Sequence, residues 1–232
     1  MSTTTPEEVV TKAYVREVEL HSFGFNGKLA LITLDNGLDY NRPNTIGLEG
    51  LKELNSAIDT ALASGADALG VTGKPFIFAA GADLSGVASV TDGAQAKAFG
   101  KLGHDVFRRL GESGKPTFAF INGLALGGGL EIGLHCHYRT LASTAFVALP
   151  EVFLGLVPGW GGATLLPQLI GPEKAAKVIM VNALNNNFIV FGRFSTWNRG
   201  MRNIRQDHHG AVKFLFDFIQ ARFTVFNLLL QF

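Results

Sequence analysis

Cysteine occurs once in this 232-residue chain, at Cys136, so no disulfide can form within it, and a reducing compartment is expected. A surplus of charge is also missing. Lys and Arg number 20 against 19 Asp and Glu, a net +1, which provides no electrostatic footprint for nucleic acid or an anionic membrane. No uninterrupted apolar stretch approaches the roughly 20 residues that a membrane helix needs. The first ten residues, MSTTTPEEVV, have neither the basic start nor the apolar core of a secretory signal. No internal repeat is visible. These absences lead to the expectation of a soluble, cytoplasmic protein with neither nucleic acid nor membrane as a partner. What the chain does have is 47% hydrophobic and 17% charged residues. That composition and length suit one large domain, or one domain with an appendage, built on a substantial core.

Tyr14 to Leu20 and Lys28 to Leu34 read as two strands joined by the turn-rich Phe23 to Gly27. Arg42 to Asn44 breaks the chain. From Thr45 to Ala63, Ile46, Leu48, Leu51, Leu54, Ile58 and Leu62 recur at mostly three- and four-residue spacing, which predicts a helix. Ala68 to Thr72 reads as a short buried strand, Phe76 to Ala80 runs into Gly81, Ala82 and Asp83, and Ala94 to Leu110 reads as a second long helix. Further along come a strand at Pro116 to Asn122, a helix at Leu130 to His135, and short strands at Thr140 to Ala142 and Phe146 to Ala148. Helices are expected at Ala163 to Ile170 and at Glu173 to Val181, the latter opened by Pro172. Strands alternating with helices predict an α/β fold.

Chemistry concentrates between Ile121 and Gly133, INGLALGGGLEIG, where Gly127, Gly128 and Gly129 stand between an apolar run and a helix-like run. Backbone without Cβ can approach a ligand closely, and a helix starting there offers free N–H groups to an anion. A similar turn of small residues, AAGADL, spans Ala79 to Leu84; two such turns can each donate one N–H to a shared oxygen, as in an oxyanion hole. Glu131 lies among Leu130, Ile132 and Leu134, and Glu151 follows Pro150 and precedes Val152, Phe153 and Leu154. An isolated glutamate is usually a solvated surface residue. One set in apolar surroundings has a raised pKa suited to proton transfer near neutrality, and two can divide the acid and base roles.

Other patterns carry less. Gly73-Lys74 lacks both the upstream glycine and the following Ser or Thr of a phosphate loop. His135, Cys136 and His137, with Glu131 one turn before, form no compact set of metal ligands. Cys136 has no partner base in sequence and reads as structural, and His208-His209 reads as an exposed polar pair.

Taken together, FIFAAGADLSGV, INGLALGGGLEIG and ALPEVFLGLVPGWGGATLLPQLIG resemble, in order and spacing, the crotonase or enoyl-CoA hydratase/isomerase superfamily. Within it, the middle segment is most similar to hydratase domains of fatty-acid oxidation multienzymes and their stand-alone bacterial relatives. The resemblance covers about residues 15–184 and implies a spiral of ββα units assembling as a homotrimer or a pair of trimers. It implies that the N–H groups of Ala82 and Gly128 hold the oxygen of an acyl-CoA thioester. Ala80 and Leu84 match positions lining the adenine end of the CoA site, and Gly81, Asp83 and Gly127 complete the substrate-binding turns. Glutamates at both Glu131 and Glu151 match enoyl-CoA hydratases: one activates water, the other protonates the α-carbon. No metal or redox cofactor is implied, coenzyme A entering only as part of the substrate. Isomerase or hydrolase chemistry on the same scaffold, and a catalytically impaired acyl-CoA-binding protein, are the alternatives. Acyl chain length depends on loops such as Gly86 to Phe99.

Two departures accompany the resemblance. His137 stands where it favours an acid, so a local ion pair is expected to be lost. From Asn185 the composition changes: residues 185–232 hold nine of the chain's 19 phenylalanines, and two acidic residues against six Lys and Arg. A catalytic domain over residues 1–184 is therefore expected to precede an atypical Phe-rich segment, partly helical, over 185–232. A changed reading frame or a divergent replacement would produce such a tail, and would bear on trimer formation and full activity.

Overall fold

The computed structural model describes residues 9–21, 24, 26–84 and 92–180. The expectations placed on residues 185–232, and on residues 86–91 of the loop from Gly86, lie outside the described residues. Within them the chain is an α/β protein of two sheets.

Two strands, β1 (Lys12–Glu19) and β2 (Lys28–Asp35), form an antiparallel pair. On β1 exposed and half-buried residues largely alternate, as on an edge strand with one wet face, whereas β2 is buried along most of its length. Helix α1 (Leu48–Ala63) follows and buries Leu51, Leu54, Ala57, Ile58 and Ala61 at three- and four-residue spacing. Its start falls three residues later than the apolar pattern predicts. The reason is Ile46, whose N–H donates to Gly81 O at 2.8 Å and whose carbonyl accepts from Asp83 N at 3.1 Å, so its backbone is committed to another segment.

From there the chain repeats one manoeuvre. Strands β3 (Ala68–Gly73), β5 (Thr117–Ile121) and β7 (Tyr138–Leu141) join β2 in parallel, giving a five-stranded sheet of order β1-β2-β3-β5-β7. Each is followed within a few residues by a strand of a second, three-stranded parallel sheet: β4 (Phe76–Ala80), β6 (Gly123–Leu126) and β8 (Phe146–Ala148), in the order β4-β6-β8. Helices then follow: α2 (Gly93–Gly111), capped by Asp92, α3 (Gly128–His135), and, after a 3-10 turn at Pro150–Leu154, α4 (Gly162–Ile170) and α5 (Pro172–Met180). This is the expected spiral of ββα units. The main core gathers Ile32, Ile58, Val71, Phe78, Phe107, Ile121 and Ile132 between sheets and helices.

Strand β6 is missing from the sequence expectations because the chain passes from β5 to β6 through one residue, Asn122, with no turn signal. Its side chain makes the junction: Nδ2 donates to Gly73 O at 2.9 Å and Lys74 O at 2.7 Å, while Oδ1 accepts from Gly73 N at 3.3 Å. A Cβ on Gly123 would lie 1.9 Å from Phe76 O, so only glycine permits the strands to part there.

Candidate active site

The small sheet delivers the site. Its strands run parallel with Ala80, Leu126 and Ala148 in register, and just beyond their C-terminal ends come Gly81-Ala82, Gly127-Gly128 and Glu151. Open α/β sheets place ligands at this same end of their strands.

Ala82 sits opposite Ile46 in an isolated parallel bridge. The two hydrogen bonds of that bridge use Gly81 O and Asp83 N, so the N–H of Ala82 itself points to the other side. There it meets the start of α3: a Cβ on Gly128 would lie 3.7 Å from Ala82 N. Gly128 is the first residue of α3, where N–H groups have no partner within the helix. Neither N–H is spent on another described residue. Two donors thus stand side by side at the positive end of a helix.

Each of the three glycines lacks a side chain for its own reason. Gly127 has φ 51°, in the left-handed region, and a Cβ there would lie 2.7 Å from Glu151 Oε1. On Gly128 a Cβ would come within 2.5 Å of the Trp160 ring, and on Gly129 within 2.0 Å of Ala79 O. The triplet lets a helix end, a carboxylate, an indole and β4 meet at one point.

Glu131, one turn into α3, is 2% exposed. Its Oε1 accepts from Trp160 N and Gly162 N, both at 2.8 Å. Burial raises its pKa from 4.5 to about 7; the Gly162 N–H opposes this, the Glu151 carboxylate adds to the rise, and the Trp160 N–H opposes it. Burial likewise pushes Glu151 above the ordinary carboxylate range, its own backbone N–H opposing. Glu151 Oε2 is buried without a hydrogen-bond partner among the described residues, as expected of an oxygen that turns toward a ligand. The apolar residues following Glu151 do not surround it, however. Phe153, Leu154, Leu156 and Val157 are exposed, and only the carboxylate turns inward.

Of the remaining expected residues, Gly81 is buried with φ 85°, Ala80 donates its N–H to Asn44 O at 2.7 Å, and Leu84 is half exposed at the start of the loop. Asp83 N completes the Ile46 bridge. Trp160 and the glycines beside it are the participants not singled out from sequence. The indole packs edge-on against Phe99 and Phe107, and a Cβ on Gly103 would come within 2.3 Å of it. The signal was present as an aromatic flanked by glycines in GWGG.

The His137 departure has a local answer. Arg139 donates to Gly133 O at 3.1 Å and Cys136 O at 2.5 Å, compensating the C-terminal end of α3 with its own carbonyls. His137 Nδ1 meets Thr117 Oγ1 at 2.7 Å. Burial pushes the Cys136 thiol up to about 12, which makes it inert. Among the described residues no three His, Cys, Asp or Glu side chains lie together as a metal ion needs, and no helix is long and apolar enough to cross a membrane.

Comparison with known proteins identifies the family and the fold. Residues 24–186 match the enoyl-CoA hydratase/isomerase family. The crotonyl-CoA hydratase of Syntrophomonas wolfei is 38% identical over 144 residues, 60% of this chain and 55% of that one. The fatty acid oxidation complex subunit alpha of Shewanella loihica is 42% identical over 112 residues, 47% of this chain and 16% of that one. The crystal structure of enoyl-CoA hydratase from Thermoplasma volcanium superposes with a TM-score of 0.63 at 31% identity, covering 72% of this chain and 63% of that one. The chain thus spans little more than half the length of the curated Syntrophomonas relative, and the family match stops where the composition changes. The match over residues 24–186, on a ββα spiral, makes this chain a member of the enoyl-CoA hydratase/isomerase family.

Proposed function

We propose that the protein is an enoyl-CoA hydratase, adding water syn across the double bond of a trans-2-enoyl-CoA to give a 3-hydroxyacyl-CoA. The observation that carries this reading is the pair of inward-facing carboxyls, Glu131 and Glu151, on either side of a turn with two unspent N–H groups. Ala82 and Gly128 hold the thioester oxygen as negative charge develops on it, each donor contributing about 3 kcal/mol to lowering the barrier. Two backbone donors on Oε1 favour the ionised form of Glu131, which takes a proton from water as its oxygen bonds to the β-carbon. Glu151, whose buried Oε2 has no such support, carries the proton and gives it to the α-carbon. Exchange with solvent then resets both groups. Ala80, Gly81, Asp83, Leu84 and Gly127 line the acyl-CoA path, and no metal or redox cofactor takes part.

Incubation with crotonyl-CoA tests the reading: the enoyl absorbance falls and 3-hydroxybutyryl-CoA accumulates. A shifted double bond or free CoA would indicate isomerase or hydrolase chemistry instead. The change of composition from Asn185 favours one further reading, a catalytically impaired acyl-CoA-binding protein, which predicts binding of the ester without turnover. Assembly as a homotrimer or hexamer belongs to the same proposal and is supported by the exposed apolar run Phe153 to Val157, which needs cover. A mass measurement in solution tests it. The even charge balance and lone buried cysteine support a cytoplasmic location.

A further inference from the structure

The loop Gly159–Gly162 reaches Glu131 only through its backbone, so the backbone itself must be held. His135 lies four residues after Glu131, on the same face of α3. Its Nε2 is 2.7 Å from Trp160 O, while Trp160 N and Gly162 N serve Glu131 Oε1. Gly161 between them has φ 121°, and a Cβ there would lie 2.5 Å from His135 Nε2; the loop approaches the imidazole as closely as a glycine allows. The ring is 9% exposed, with His104 and Phe107 edge-on at 5.5 and 6.2 Å. Burial holds its pKa below the ordinary value, and a neutral imidazole that donates to a carbonyl must carry its proton on Nε2.

We propose that His135 is a positioning residue: by donating from Nε2 to Trp160 O, it fixes the peptide turn whose N–H groups orient the Glu131 carboxylate. One loop is then clamped from α3 through both polarities, its N–H groups by Glu131 and its carbonyl by His135. Among the described residues, the titratable or charged groups that act on His135 are His104, Arg108 and Glu112, all on α2 or its C-terminal cap, and Glu151 acts on Glu131.

The kinetic part of the test rests on the hydratase reading; the spectroscopic part does not. In the wild-type protein with ¹⁵N-labelled histidine, His135 is expected as the Nε2–H tautomer; an Nδ1–H tautomer overturns the proposal. With ¹³C-labelled glutamate, His135→Leu loosens the two donors on Glu131, so that its titration moves up by about one pH unit. His135→Gln, which retains an N–H at the Nε2 position, holds it near the wild-type value. An unchanged Glu131 titration in folded His135→Leu, or an equal rise in His135→Gln, overturns the proposal. Should the leucine variant fail to fold, Gly161→Ala pushes the loop off the imidazole and must produce the same upward move. With crotonyl-CoA, His135→Leu lowers kcat about tenfold with KM nearly constant, and glutamine restores it; a loss confined to KM counts against it. If the wild-type protein does not hydrate crotonyl-CoA, the hydratase reading falls and the titrations still decide the role of His135.

Discussion

Glu131 is held inside the protein at a cost that depends on pH, and its surroundings set the size of that cost. The folded protein keeps the carboxyl protonated up to about pH 7, while an unfolded chain releases the proton near its ordinary value of 4.5. Between those values the folded state binds more protons than the unfolded state, so stability falls as pH rises through the window from 4.5 to about 7. The full loss amounts to roughly 3 kcal/mol, a sizeable part of a domain's stability. Glu131→Gln mimics the protonated form and keeps a carbonyl oxygen for the Trp160 and Gly162 N–H groups. Urea unfolding at pH 5 and pH 8, at one ionic strength, should find the variant and the wild type within about 1 kcal/mol at the lower pH. At the higher pH the variant should be more stable by about 2–3 kcal/mol. Any fixed cost of the amide cancels in the comparison of the two pH values. An identical difference at both would refute the reasoning, because Glu131 would then not titrate in that window.

Other substitutions test other parts of the site. Glu151→Gln should lower turnover of crotonyl-CoA by about 10²–10⁴-fold with substrate binding largely intact. By removing a like charge it should also lower the pKa of Glu131, read by ¹³C NMR. Gly128→Ala drives a Cβ to 2.5 Å from the Trp160 ring and should cost about 1–3 kcal/mol in unfolding experiments while displacing one of the two N–H donors. Arg139→Met takes the guanidinium from the Gly133 and Cys136 carbonyls, the former keeping the Cys136 N–H, and should reduce stability by about 2 kcal/mol.

Much of the small-sheet site was visible in the residues themselves. GADL and LGGGLE mark turns because strands that end in glycine must leave the sheet there, and the apolar neighbours of Glu131 correctly signalled a buried carboxylate. Glu151 was harder to read. Its apolar neighbours lie outside, and its carboxylate packs against Gly127, in the turn between β6 and α3. Asn122 escaped for a similar reason: a switch of sheet made through one residue leaves no trace in local periodicity. His135 looked like a stray metal ligand, because a hydrogen bond to a carbonyl 25 positions away has no sequence pattern. What stayed hidden was contact between distant segments; what showed was the geometry each segment imposes on itself.

Trp160 is wedged between Gly103 and Gly128, touching the helix start that carries one of the two donors. The chain has one other tryptophan, Trp197. With Trp197→Phe, the emission of the protein becomes that of a single indole standing against the two-donor turn. The protein therefore carries a built-in optical probe, able to register a molecule arriving at that turn whether or not any bond is made or broken.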